Sequence, residues 1–169
     1  METIRLAVRA LVEFTLHGED ILRLGGKAQD MQDGTLGHKA RQALLGEAWT
    51  SEVPVELNLP VEEEELALHI SGRMDAFRGG DIPIIEEIKL CQGKHAPESP
   101  WPAHEAQAVC YGHMLCQAQG IGQVVIRVAY VDRRGNLRAQ FDTPMTAEAC
   151  RERFEALLIP YLRRLRLDL

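Results

Sequence analysis

Apolar and polar residues alternate along several stretches of the chain, which is the pattern of half-buried β-strands. In the clearest stretch, Leu66, Leu68, Ile70 and Met74 fall on one face of a predicted strand that ends at Phe77. This pattern predicts strands over residues 4–8, 53–61, 66–77, 82–90, 123–130 and 137–141. Apolar residues at helical spacing predict helices over residues 8–16 and 102–119, a further helix that begins between residues 27 and 36 and ends near residue 49, and a last helix after residue 146.

Residues that end helices or form turns divide these elements. Gly18 and Gly120 are placed to end the first helix and the helix over 102–119, and Gly25-Gly26 interrupts the chain between the first two helices. Thr146 is predicted to cap the last helix. The turn over residues 78–81 joins two strands as a hairpin. The order of elements predicts an α/β (or α+β) fold in which helices flank a mixed central sheet, with residues 1–169 forming a single domain.

Composition narrows the class of protein. Of the 169 residues, 46% are hydrophobic and 26% are charged, as in ordinary globular domains. No apolar run is long enough to cross a membrane and the first residues do not resemble a signal peptide, so a cytoplasmic protein with no membrane partner is expected. The four cysteines form no Cys-x-x-Cys pair, which argues against a zinc ribbon. The net charge of −6 predicts weak binding to nucleic acid by this chain alone, and therefore a partner or fused module that adds affinity.

Two acidic residues and a lysine are predicted to meet where the hairpin strands pair. Asp75 falls on the face opposite the apolar residues of its strand, and Glu87 and Lys89 share a face of the next strand. Two carboxylates, water and a phosphate oxygen form the oxygen-rich site that suits Mg²⁺ or Mn²⁺. Lysine next to such a site can hold a phosphate or orient a water molecule. Glu86 faces the other way, towards a side that should pack on a helix, and a shift of register would make Glu86 the ligand instead.

The helix over 102–119 carries polar residues on its inner face. His104, Gln107 and Tyr111 are spaced three and four positions apart. An ordinary core helix does not place such residues inward, so Gln107 and Tyr111 are candidates to bind a phosphate or the ligand carboxylates; the alternative is a polar helix edge. Trp101 at the start of this helix is expected either to stack on a base or to anchor the helix by burial.

In combination, these motifs resemble the RecB-type branch of the PD-(D/E)XK nuclease superfamily. The resemblance covers residues 30–131 and rests on Gly-x-x-Asp ending at Asp75, Glu-x-Lys from Glu87, and Gln-x-x-x-Tyr from Gln107. The branch adds a histidine on an upstream helix, which His38 matches; a surface histidine is the alternative. The resemblance implies a restriction-endonuclease-like core that hydrolyses DNA, with Mg²⁺ or Mn²⁺ held by His38, Asp75, Glu87 and the Ile88 carbonyl, and with Lys89, Gln107 and Tyr111 at the reaction centre.

The opening segment, from Ile4 to Asp20, is similar to the start of nuclease domains fused ahead of DinG-like DNA helicases. This similarity implies a helicase partner, a role in DNA processing or repair, and single-stranded or branched DNA as substrate. Arginines near the end of the last helix (Arg163, Arg164 and Arg166) either touch the phosphate backbone or lie on an exposed helix face. Two other interpretations stay open: a binding module that keeps the fold without cleavage, and an unrelated α/β protein.

Overall fold

The computed structural model describes residues 2–16 and 28–167. Within these residues a six-stranded mixed sheet is flanked by four α-helices, which confirms the predicted fold class. The elements in chain order are β1 (Glu2–Ala7), α1 (Val8–Thr15), α2 (Ala28–Leu45), β2 (Trp49–Val61), a 3₁₀ helix (Glu62–Glu64), β3 (Leu66–Arg78), β4 (Ile84–Leu90), α3 (Pro102–Gln119), β5 (Gln123–Val131), β6 (Leu137–Thr146) and α4 (Ala147–Leu167).

The predicted ends of the later helices agree with the structure. Helix α3 begins at Pro102, a favourable first residue, and ends before Gly120, whose left-handed backbone (φ 66°) forms the C-cap. The Thr146 hydroxyl accepts a hydrogen bond from the Ala149 amide at 3.1 Å, as an N-cap should. Helix α2 ends earlier than predicted, at Leu45, because Trp49 already belongs to β2. The predicted breaks at Gly18 and Gly25-Gly26 lie outside the described residues.

One edge of β3 changes partner part-way along its length. On its other edge β3 pairs antiparallel with β2 from Leu66 to Arg78. On this edge it pairs in parallel with β1 over residues 66–71 and antiparallel with β4 over residues 76–78. Residues 72–75 therefore face a gap in the sheet, with no strand of the described chain paired to them there. Strand β4 continues the sheet through parallel β5 and antiparallel β6.

The alternation of apolar residues reverses where β3 meets this gap. Met74 packs in the main hydrophobic core, whereas Ala76 packs in a second cluster and Phe77 contacts the main core again. Strict alternation would put Met74 and Ala76 on the same face. The β2–β3 ladder pairs Ser51 with Ala76 and Val53 with Met74, and Glu52 between them has a left-handed backbone (φ 55°) that is uncommon for a residue with a side chain. Leu66, Leu68, Ile70 and Met74 all pack in the main core as predicted, and the reversal begins only after Asp75.

Two layers of helices cover the sheet. Helices α1, α3 and α4 contact one another and, with the sheet, enclose the main core. Helix α2 packs on β3, β4 and β5 from the opposite face, where its Leu45 joins Trp49, Ala76, Ile88 and Val131. The gap beside Asp75 thus lies between α2 on one face and α3 on the other.

No helix among the described residues is both long enough and apolar enough to span a membrane.

Candidate active site at the gap in the sheet

The Asp75 side chain replaces a strand-to-strand hydrogen bond at the gap. Its Oδ2 accepts a hydrogen bond from the Ile88 backbone amide at 2.7 Å. The side chain thereby ties β3 to β4 where ladder pairing has stopped. Burial raises the pKa of Asp75 above its usual range, although His38, the Ile88 amide and Lys89 all act to lower it. A buried carboxylate held by one amide is poised to bind a cation that offsets its desolvation.

Glu87 is the second carboxylate at the gap. Burial, and then the neighbouring Asp75 carboxylate, raises the pKa of Glu87 to about 8. One of its oxygens lies 3.3 Å from the Lys89 ammonium, while Oε2 is buried with no hydrogen-bond partner within the described structure. Burial and the Asp75 charge thus favour the protonated acid of Glu87 near neutral pH, whereas a cation in the gap would favour the carboxylate.

Glu86 points away from the gap. Its side chain is fully buried and accepts hydrogen bonds from Arg41 of α2 at 2.9 and 3.2 Å. The Arg127 guanidinium of β5 lies 3.5 Å from Glu86 Oε1. Arg127 in turn binds Asp142 and lies over the Trp49 ring. The structure therefore places Glu87, and not Glu86, beside Asp75 and Lys89. The charge that seemed misplaced in the sequence joins α2 to the sheet.

Helix α2 presents one polar face to the gap. His38 Nδ1 lies 3.8 Å from Asp75 Oδ1, and Gln42 donates hydrogen bonds to the Asp75 backbone carbonyl at 2.8 Å and to Glu52 at 2.9 Å. With Arg41 and Leu45, these residues fall at positions i, i+3, i+4 and i+7 of the helix. This face is mostly polar, so hydrophobic periodicity does not reveal it.

Helix α3 closes the opposite side of the gap. Gln107 and Tyr111 are buried, and Gln107 Oε1 has no hydrogen-bond partner among the described residues. Burial, and then the charges of Glu87 and Asp75, raises the pKa of Tyr111. The Tyr111 ring lies so close to Gly72 that a Cβ at this position would be 2.5 Å from the ring. The glycine of the Gly-x-x-Asp motif is therefore required by packing against Tyr111.

His104 and Trp101 form the end of α3 nearest Lys89. His104 Nδ1 is 2.8 Å from the Tyr130 hydroxyl, which also accepts a hydrogen bond from the Trp101 amide at 3.0 Å. The Trp101 ring stacks on His104, with centroids 5.1 Å apart. Burial, and then the Lys89 charge, lowers the pKa of His104 to about 3, so its ring is neutral. Trp101 is thus placed as the N-terminal anchor of α3, one of its two predicted positions.

The residues at the gap are suited to hold a divalent ion with oxygen ligands. No group of three His, Cys, Asp or Glu side chains in the described ranges is arranged to hold a metal. Mg²⁺ does not need such a group, since it is usually bound through one or two carboxylates and keeps several waters or substrate oxygens. Asp75, Glu87 with its unpartnered oxygen, and the adjoining Ile88 carbonyl supply that chemistry.

Sequence reasoning missed the residues that position this cluster. Gln42 bonds to the Asp75 carbonyl, and Arg41 and Arg127 pair with Glu86, the chain neighbour of Glu87. Glu52 and Asp142 in turn bind Gln42 and Arg127. The spacing of His38, Arg41, Gln42 and Leu45 was a usable signal in the sequence. The sequence gives no such signal for Glu52, because its contact with Gln42 depends on how β2 pairs with β3.

The comparisons with known proteins concern the fold. No protein-family model matches the chain, and no curated protein matches it. The crystal structure of SSO0001 is similar with a TM-score of 0.56 and 18% sequence identity, over 94% of this chain and 76% of that one. An alkaline exonuclease from Laribacter hongkongensis has a TM-score of 0.45 and 14% identity, over 97% and 94% of the two chains. The SSO0001 match shows that the fold recurs in a solved structure.

Proposed function

We propose that this protein is a divalent-metal-dependent nuclease that hydrolyses phosphodiester bonds in DNA. The observation that supports the proposal most strongly is the convergence of Asp75, Glu87 and Lys89 at one gap in the sheet, with a buried Glu87 oxygen left without a partner. Two buried carboxylates and an ammonium are costly to assemble unless a ligand compensates them. The RecB-like order of motifs gives the same interpretation.

Each residue has a distinct task in the proposed site. Asp75, Glu87 and the Ile88 carbonyl would hold Mg²⁺ or Mn²⁺, with His38 completing the site from α2. The bound ion lowers the pKa of a water molecule and offsets the charge on the phosphate. Lys89 lies beside Glu87, where its ammonium can stabilise a phosphate oxygen or orient the attacking water. Tyr111 lies close enough to Glu87 and Asp75 for their charges to raise its pKa, and Gln107 lies one turn before it on α3. Both residues would position Lys89 and the phosphate.

The substrate we propose is single-stranded or branched DNA, with a helicase as partner. The net charge of −6 provides little general attraction for duplex phosphates, so another module would deliver unwound DNA. The similarity of the first residues to helicase-linked nuclease domains favours the same arrangement. Cleavage of intact duplex as fast as flapped DNA would contradict this part of the proposal.

A digestion panel tests the activity. Labelled single-stranded, duplex and flapped DNA, with single-stranded RNA alongside, are incubated with Mg²⁺, Mn²⁺ or a chelator. We expect cleavage of single-stranded or flapped DNA with either ion, and none with the chelator. Asp75→Asn should abolish cleavage because it removes one of the two ligand carboxylates. Asp81→Asn, an exposed carboxylate in the β3–β4 turn, is the matched control and should cleave normally.

Two outcomes of this panel would contradict the proposal. Cleavage that persists in Asp75→Asn would remove the assigned site. Binding of Mn²⁺ and DNA by the wild type without cleavage would favour the alternative, a nucleic-acid-binding module with the same fold.

A further inference from the structure

A cavity lined by arginines opens beyond the end of β4. Its volume is about 450 Å³, and it is formed by the segment after β4 and by the β5–β6 turn. The residues around it include Cys91, Asp132, Arg133, Arg134, Asn136 and Arg138. Three guanidinium groups and a single carboxylate line this cavity, although the chain as a whole carries a net charge of −6.

The single carboxylate is already engaged. Asp132 accepts hydrogen bonds from the Arg134 and Asn136 backbone amides at 2.8 and 3.0 Å, which lowers its pKa. Arg138 donates to the Cys91 carbonyl at 2.8 Å, and Arg133 lies 3.9 Å from Asp33 in a partly exposed pair of the kind that contributes little to stability. The exposed Arg134 side chain makes no ion pair within 4 Å in the part of the chain that is described. The cavity therefore retains an excess of positive charge.

The turn that carries these arginines is held rigidly against α2. Gly135 has a left-handed backbone (φ 84°), and a Cβ there would be 2.5 Å from the Ala40 and Arg41 backbone. On the same helix, a Cβ at Gly37 would be 3.0 Å from the Asp132 carbonyl and from Leu90. Gly37 directly precedes His38, so the β5–β6 turn that carries the arginines and the candidate metal site contact the same helical turn of α2.

The cavity also continues the line of the candidate site along the chain. Glu87, Lys89 and Cys91 follow one another at every second position, and Cys91 lies on the cavity wall. Two residues of extended chain span about 7 Å. A single nucleic-acid strand carries one charge per ~3.4 Å of helix rise. A strand with one phosphate at Lys89 therefore has its next phosphates within reach of the cavity.

We infer that this arginine cavity binds a phosphate of the nucleic-acid strand, one or two nucleotides away from the phosphate that is cleaved. The inference rests on the proposed nuclease function and assigns it a substrate-binding subsite. Guanidinium groups bind phosphate oxygens with paired hydrogen bonds, which the exposed side chains of Arg133 and Arg134 can supply. The phosphate has two potential sources, an internal diester or a terminal monoester, which share this chemistry.

Binding can be measured separately from cleavage. A fluorescent single-stranded oligodeoxynucleotide is titrated with the full chain in Ca²⁺ at several salt concentrations, with its ends carrying either hydroxyl or phosphate groups. We expect Arg134→Ala to weaken binding several-fold and to reduce the slope of log affinity against log salt by about 0.7, the value for one phosphate contact on a single strand. Arg151→Ala is the matched control, since it removes an exposed arginine on α4, which packs on the other face of the sheet. We expect that control to leave affinity and slope unchanged.

The outcomes separate the subsite from the activity. Unchanged affinity and slope in Arg134→Ala, or an equal loss in Arg151→Ala, would overturn the subsite even if the wild type cleaves DNA. A reduced slope for Arg134→Ala in a chain that never cleaves would support the subsite and contradict the nuclease. If Arg134→Ala loses affinity only for oligonucleotides with a terminal phosphate, the ligand is the monoester. If it loses affinity equally for all oligonucleotides, the ligand is the diester. Either result supports the inference.

Discussion

Glu87 is the residue whose ionisation depends most on what occupies the site. Burial, and then Asp75, raises its pKa from 4.5 to about 8, and the neighbouring Lys89 only partly opposes this. In the metal-free protein the folded state therefore holds a proton that the unfolded chain releases near pH 4.5. Metal binding requires the carboxylate form, so metal affinity should increase with pH over the same range.

The raised pKa of Glu87 predicts how the free energy of unfolding depends on pH. Because the pKa of Glu87 is higher in the folded protein, its contribution to stability is present at low pH and is lost as pH rises from 4.5 to about 8. For one proton the free energy of unfolding falls by at most about 1.4 kcal/mol per pH unit. Urea unfolding of the metal-free wild type and of Glu87→Gln across this range measures it. In Glu87→Gln the free energy of unfolding should fall much less steeply with pH than in the wild type.

The exposed Glu98→Gln is the control for that experiment and should behave as the wild type does. Asp75, whose pKa is also raised, accounts for the slope expected to remain in Glu87→Gln. A slope in Glu87→Gln equal to that of the wild type would mean that Glu87 is not protonated in the folded protein.

At the scale of elements, helix α2 is joined to the sheet largely by polar contacts. Arg41 and Glu86 form a buried pair with two hydrogen bonds, and Gln42 donates a hydrogen bond to the backbone carbonyl of Asp75, itself a candidate ligand. Since His38 lies one turn before these residues, the same contacts fix its distance to Asp75. The pair therefore sets the position of a proposed ligand as well as the packing of the helix.

Removing one member of this pair should be costly. Arg41→Ala leaves Glu86 buried with only the longer contact to Arg127, and we expect a loss of about 3 kcal/mol in the free energy of unfolding. Arg151→Ala breaks the exposed pairs with Glu148 and Glu155 and should cost no more than about 0.5 kcal/mol. Chemical denaturation of both variants gives the comparison. Equal losses in the two variants would show that Arg41 does not anchor α2.

At the scale of the whole molecule, the sequence predicts the elements well and the site only in part. Regular alternation and clear helix ends allowed β3 and α3 to be predicted closely. The reversal of alternation at Asp75 could not be predicted, because it depends on the gap between β1 and β4 along β3. The roles of Arg41 and Arg127 were also hidden, since a buried charge pair is formed by residues distant in sequence.

The choice of Glu87 over Glu86 shows the same limit. Both residues fit a strand, and only the spacing to Lys89 favoured Glu87 from the sequence. In the folded chain the two side chains lie on opposite faces of β4, so Glu86 pairs with Arg41 whereas Glu87 lies beside Asp75. Their metal-binding and catalytic roles stay predictions that solution measurements must test.

The most direct test of the central claim is single-turnover cleavage of labelled single-stranded DNA by the wild type, Lys89→Ala and Lys89→Arg at saturating Mn²⁺. Substrate affinity is measured in parallel in Ca²⁺. If Lys89 stabilises charge that develops on the phosphate, Lys89→Ala should cleave about 10²–10³ times more slowly with little change in affinity. Lys89→Arg should recover little, since a planar fork does not replace a compact ammonium. Cleavage by Lys89→Ala within a few-fold of the wild-type rate would contradict the assignment of this gap as a nuclease active site.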